Sequence, residues 1–186
     1  MKTAAYKVLM SLRRYNTSEG TYPVKSLKNI FGETKTISSS GSLYYEVGVG
    51  QAFLGSVYNS GAKSRPTTSS SNANAGTICL DIGSGNTAPT ENDYCLESPI
   101  DLGFSGNSFC TPILDENNNI LGIQNSVTYI NNTGSEVTIR EIGTYLCAYF
   151  SSTSNRTWFL IERTVLETPV VVPVNGTVTI AFNMLY

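Results

Sequence analysis

The sequence predicts an all-β chain: an antiparallel β-sandwich, jelly-roll or immunoglobulin-like, with an extended or short-helical N-terminal arm. Three observations lead there. Short runs rich in Val, Ile, Thr, Tyr and Phe recur at 77–82, 122–130, 137–149, 158–165 and 177–184, with a shorter one at 113–114, the composition and length of strands. Residues that accept positive φ separate them, Asn131-Asn132-Thr133-Gly134 and Pro173-Val174-Asn175-Gly176, and both stretches are expected to close hairpins. The last run alternates, with Val178, Ile180, Phe182 and Met184 on one parity and Thr177, Thr179, Ala181 and Asn183 on the other, so one face is buried and one is wet. Many short strands without intervening helical periodicity imply two packed sheets.

Along the chain, residues 1–59 form an N-terminal arm and docking region, 60–76 a Ser/Thr/Asn-rich linker or long loop, and 77–186 the sandwich body. Ala5, Val8, Leu9 and Leu12 fall at i, i+3, i+4 and i+7, the spacing of one helical face. The pattern lasts two turns, so an arm that orders on a partner is an equal reading. Leu43–Val47 and Gln51–Tyr58 read as strands, whereas 60–76 has no large apolar residue and cannot offset its own ordering by burial. In the body, Val137 and Ile139 share one parity while Ile142 and Leu146 share the other. Either Gly143 marks a bulge or both faces are covered. Trp158-Phe159-Leu160-Ile161 is apolar on both parities, as in a central strand or one covered by a second subunit.

Composition narrows the function. The 186 residues are only 14% charged, against about 25% in a typical soluble domain, so electrostatic repulsion between copies is weak. The charge is unevenly placed: residues 1–35 carry seven basic and two acidic side chains, a local +5, which leaves −7 on the rest. A basic arm on an acidic body suggests contact with nucleic acid, another protein or another copy. No apolar run approaches the roughly 18 residues of a membrane span. Ala4–Leu12, interrupted by Lys7, has no export pattern, so synthesis in a cytoplasm is expected. Cys79, Cys95, Cys110 and Cys147 lack CxxC spacing; free thiols are expected, with two disulfides the alternative in an oxidising compartment. No metal and no cofactor is expected.

Chemistry is sparse. The chain has no histidine, the usual general base and commonest metal ligand. Gly103-Phe104-Ser105-Gly106-Asn107 departs from the nucleophile elbow at Asn107. Asp93, Glu97, Asp101, Asp115 and Glu116 are candidates for a glycosidase pair, without a sign that two converge. Asp115–Asn119 begins like a calcium loop but has Ile120 where glycine is needed, so a polar hairpin tip is the better reading. Gly83-Ser84-Gly85-Asn86 opens no helix and carries no lysine, which leaves a phosphate cradle unsupported. Arg140-Glu141 and Glu162-Arg163 are expected to meet as a structural cross-strand ion pair. Tyrosines 44, 45, 94, 129, 145, 149 and 186 serve as core, as subunit contacts or as sugar-stacking platforms. Four N-x-[ST] matches, at Asn16, Asn131, Asn155 and Asn175, are what chance gives in such a composition.

Three blocks, GSGNTAPTENDYCLESPI (83–100), VTYINNTGSEVTIREIGTY (127–145) and LIERTVLETPVVVPVNGTVTIAF (160–182), resemble a recurrent pattern of tailed-bacteriophage structural proteins over about half the chain. The elements are a glycine turn into T-x-x-D-x-x-L (Thr90, Asp93, Leu96), a strand ending near R-E-I-G-x-Y (Arg140, Glu141, Ile142, Gly143, Tyr145), an R-x-V-L strand (Arg163, Val165, Leu166), and a proline-glycine turn (Pro173, Gly176). The resemblance implies a non-enzymatic virion accessory of the capsid-decoration, head-fibre, collar or tail-fibre-attachment type, made in the bacterial cytoplasm and localised to the virion. Its expected partners are other copies of itself and a capsid, collar or tail protein, rather than nucleic acid or a membrane. Interface residues expected on this reading and on the doubly apolar strands are Arg13, Arg14, Arg140, Ile142, Tyr145, Trp158, Leu160 and Arg163. The alternative is a carbohydrate-binding, host-attachment module on a phage fibre, using surface tyrosines and Trp158.

Overall fold

A computed structural model of the protein describes residues 1–3, 25–37, 78–149 and 156–185, and every regular element among them is a strand. In chain order these are β1 (Lys25–Lys28), β2 (Thr34–Ile37), β3 (Ile78–Gly83), β4 (Gly103–Leu114), β5 (Ile120–Ile130), β6 (Val137–Tyr149), β7 (Arg156–Val172) and β8 (Thr177–Leu185). All pairings are antiparallel, in three sheets ordered β1-β2, β3-β6-β7 and β4-β5-β8. The helical pattern at 5–12, the strands read at 43–47 and 51–58, and the 60–76 stretch lie outside the described residues. Within the 1–59 region, residues 25–37 form a hairpin turned by Gly32 in the left-handed region.

Two strands are longer than their sequence patterns. β4 begins at Gly103, ten residues before the apolar pair at 113–114, and its ladder with β5 shifts register between Phe104 and Ser108. Gly, Ser and Asn in this stretch hide a strand, because they pack little on a pleated surface. β7 runs on through Pro169, and the ladder skips from Val165 to Val170. Proline is tolerated where a pairing bond is already absent.

The two turns expected to close hairpins do something else. Ile130 and Thr177 pair within β5-β8, and Val137 and Val172 pair within β6-β7, so each turn carries the chain from one sheet to the other. Between the sheets the ladder is kept by Asn131 N donating to Gly176 O and Asn175 N to Asn131 O, both at 2.8 Å. A single two-stranded ribbon therefore bends once and enters both sheets. Asn131, fully buried, fixes the bend: its amide donates to Ser135 O, Val172 O and Pro173 O, and its carbonyl accepts from Thr133 N and Oγ1. Asn175 supplies the positive φ, 60°. Residues of this type reverse a chain equally well whether the flanking strands pair or part, which is why turn chemistry alone predicted hairpins.

One buried apolar cluster draws on both larger sheets: Leu80, Ile82, Ile139, Ile142 and Val172 from one, Val127, Tyr129 and Ile180 from the other. Each such side chain contributes about 1.5–3 kcal/mol by leaving water. The Tyr129 hydroxyl donates to Leu80 O at 2.8 Å, bonding β5 to β3 across the cluster. A second cluster, Leu96, Tyr145, Trp158 and Leu160 with Ile30 and Cys79 against it, covers the opposite face of β6 and β7. Of the two explanations offered for the mixed parity of β6, covered faces hold; Gly143 stays in register opposite Arg163, and the ladder with β7 shifts instead between Ile139 and Glu141 and again between Thr144 and Tyr145.

Candidate functional site

Between β3 and β4 the chain crosses the outer face of the β3-β6-β7 sheet, and there it meets a fully buried carboxylate, Glu141. Glu141 Oε1 accepts from Gly85 N at 3.1 Å and Ser98 N at 2.8 Å, while Oε2 accepts from Glu97 N at 3.2 Å and Arg163 Nε at 2.8 Å. A buried charge is tolerable when paired and hydrogen-bonded in this way. The approach requires glycine at 85, where a Cβ would stand 2.6 Å from Glu141 Oε1.

Arg163, from β7, is 3% exposed and gathers two further carboxylates. Its Nη1 donates to Asp93 Oδ2 at 2.8 Å and Nη2 to Glu97 Oε2 at 3.2 Å. Burial alone would lower the Arg163 pKa, but the hydrogen bonds to Asp93 and Glu141 raise it. Burial also pushes Asp93 upward; hydrogen bonds from Arg163 and from the Thr90 amide and hydroxyl outweigh it and hold the carboxyl below its ordinary value. Glu97 is held low chiefly by the Thr87 hydroxyl and amide, with Arg163 adding to them. Beside the ions, Leu96 is buried against Gly143, where a Cβ would stand 2.8 Å from its Cδ2, and Leu96 N donates to the Tyr145 hydroxyl at 3.1 Å. The arrangement is a clasp: one guanidinium and a row of backbone amides fasten the 84–99 segment to β6 and β7.

Chemically, the clasp suits holding better than proton transfer. A glycosidase acid needs a raised pKa, and Asp93 and Glu97 are both lowered. Asp101 and Glu116 are exposed elsewhere, and Asp115 is spent on the hairpin tip, accepting from Asn117 N, Asn119 N and Asn119 Nδ2 at 2.8 Å each. Among the described residues, no group of acidic and cysteine side chains is set to hold a metal ion. Neither Cys79 nor Cys95 is in a disulfide, and burial pushes the Cys79 thiol up.

Of the residues expected at an interface, Arg163 is the centre of the clasp and Tyr145 contributes its hydroxyl. Ile142, Tyr145, Trp158, Leu160 and Arg163 are all at most 6% exposed within this single chain, so they are interior residues rather than surface contacts. The doubly apolar pattern that suggested a second subunit is met by the 84–99 segment and the β1-β2 hairpin of the same chain. Arg140 is half-buried at the register shift between Ile139 and Glu141; Arg13 and Arg14 lie outside the described residues. The expected ion pair forms between Glu141 and Arg163, diagonally, since Gly143 is the residue opposite Arg163.

Sequence reasoning missed that Asp93 and Glu97 converge on Arg163; the readable trace was the Thr90-x-x-Asp93 spacing of a local side-chain turn. The aromatic platform for sugars is depleted as well: Tyr129, Tyr145 and Trp158 are interior, and burial drives both phenols well above their ordinary pKa. Tyr94 is half-buried with Lys28 Nζ 5.4 Å from its ring centre. Compared with protein-family models, curated proteins and solved structures, the chain matches none.

Proposed function

We propose that this chain is a non-enzymatic structural component of a tailed-phage virion, a two-sheet sandwich of jelly-roll type that packs against its own copies and against a capsid, collar or tail protein. One observation carries the reading. The residues on which three separated segments resemble phage structural proteins, Asp93, Leu96, Glu141, Gly143, Tyr145 and Arg163, meet in one interior clasp. A pattern whose polar members are consumed by holding the fold is the pattern of a scaffold, because a binding or catalytic site would leave donors and acceptors for its ligand. The bent ribbon supports the jelly-roll description, and low charge supports close packing of copies. The carbohydrate-binding alternative loses support with the burial of three of its aromatics.

Quantitative mass spectrometry of purified particles tests this reading directly. The protein is expected at a fixed, multiple copy number per particle. Its absence from particles that otherwise assemble would overturn the proposal.

A further inference from the structure

Residues 1–3 lie as a short strand on the outer edge of β7. Arg163 N donates to Met1 O at 3.0 Å, the Met1 amine donates back to Arg163 O, and Thr3 N donates to Ile161 O at 3.1 Å. Met1 and Arg163 exchange both bonds, so Lys2 and Glu162, paired in the same bridge, stand at the closer, non-hydrogen-bonded position of an antiparallel ladder. Thr3 is fully buried and its hydroxyl donates to Leu160 O at 2.5 Å. Glu162 is half-buried and one of its oxygens has no hydrogen bond. Burial pushes its carboxyl up while the N-terminal amine and Lys2 oppose the shift. The edge is therefore a slot defined by main-chain groups, a hydroxyl-sized hollow and a carboxylate that favours a cation opposite.

An exposed strand edge is a template for any chain that presents matching groups, and main-chain bonds do not depend on which copy supplies the strand. Residues 4–24 connect this strand to β1, and twenty-one residues reach up to about 70 Å when extended. A folded chain of this length measures only about 40 Å across. Charge does not oppose the longer reach, since residues 1–24 carry +3 and the rest of the chain −5, so the arm is attracted to a neighbour's body as it is to its own. A second copy's β7 edge would fit the slot less well: antiparallel self-pairing about position 162 sets Glu162 against Glu162.

We propose that in the assembled state the Leu160–Arg163 edge is filled by residues 1–3 of a second copy, so that copies are joined by exchanged N-terminal strands. This rests on the assembly reading above in requiring copies to meet, but its test uses the isolated full chain. Equal amounts of unlabelled and heavy-nitrogen-labelled wild-type protein are mixed and incubated at high concentration. A zero-length carbodiimide then couples the Lys2 amine to the Glu162 carboxylate, and the linked peptides are weighed. Exchange predicts that about half of the 2–162 linked peptides carry one light and one heavy partner, the statistical limit of free exchange between two populations. Linked peptides of unmixed isotope alone would overturn the proposal in favour of pairing within one chain, and absence of a 2–162 link would overturn it by removing the slot. Particles that lack the protein, with mixed links still formed, would reject the virion reading and leave the exchange standing.

Discussion

The β3-β6-β7 sheet has both faces covered by its own chain, and the cover is fastened by a buried ionic clasp. The β4-β5-β8 sheet buries one face and turns the other outward as uncharged rungs, with Thr128 bonded to Thr179 at 2.8 Å and Gln124 to Asn183 at 2.9 Å. The difference is written into sequence periodicity. β8 alternates strictly because one side meets water, whereas β6 and β7 lose alternation because both sides are buried. Loss of alternation thus reports a cover, and here the 84–99 segment and the β1-β2 hairpin of the same chain supply it.

The contrast breaks most sharply at Arg163. Arg163→Met leaves Glu141 as an uncompensated interior charge and is expected to lower the unfolding free energy by about 3–5 kcal/mol, measured by urea denaturation. Asn131→Ala comes next, removing the donor shared by three carbonyls at the ribbon bend; about 1–3 kcal/mol is expected, with the loss felt by both sheets together. Gly143→Ala forces Leu96 aside and is expected to cost about 1–3 kcal/mol, with faster amide exchange confined to residues 84–99. On the open face, Thr128→Ala removes one exposed rung and should cost less than about 1 kcal/mol. If Thr128→Ala proved as damaging as Arg163→Met, the distinction between a fastened and an open sheet would collapse.

Acid sharpens the same comparison. Asp93 and Glu97 have folded pKa values below their ordinary ones, so the unfolded chain takes up protons first as pH falls. Their stabilising effect is complete above the ordinary carboxylate range near pH 4 and is lost as pH drops through the lowered folded values. Asp93→Asn/Glu97→Gln should flatten this dependence, as read from melting temperature between neutral pH and about pH 3.

Much of the sheet architecture was legible. The alternation of 177–184 and the apolar runs at 137–149 and 158–165 located three strands, because burial of one or both faces leaves a mark on every second residue or on all of them. β4 was mostly illegible, since its Gly, Ser and Asn residues look like loop. Turn residues announced the reversals at 131–134 and 173–176 but not the change of sheet, which depends on the long-range bonds of Asn131. The clasp was half legible: Glu141 and Arg163 stood out as a cross-strand pair, while Asp93 and Glu97 sit in a segment with no periodicity, and their convergence depends on where that segment crosses the sheet.

The most direct measurement compares particles assembled with wild-type protein and with the Asp93→Asn/Glu97→Gln variant, after circular dichroism shows the isolated variant to be folded. If the clasp serves the fold of a virion component, quantitative mass spectrometry will find both proteins at the same copy number per particle. A folded variant that is missing from particles, or particles that never contain the wild-type protein, would contradict the account.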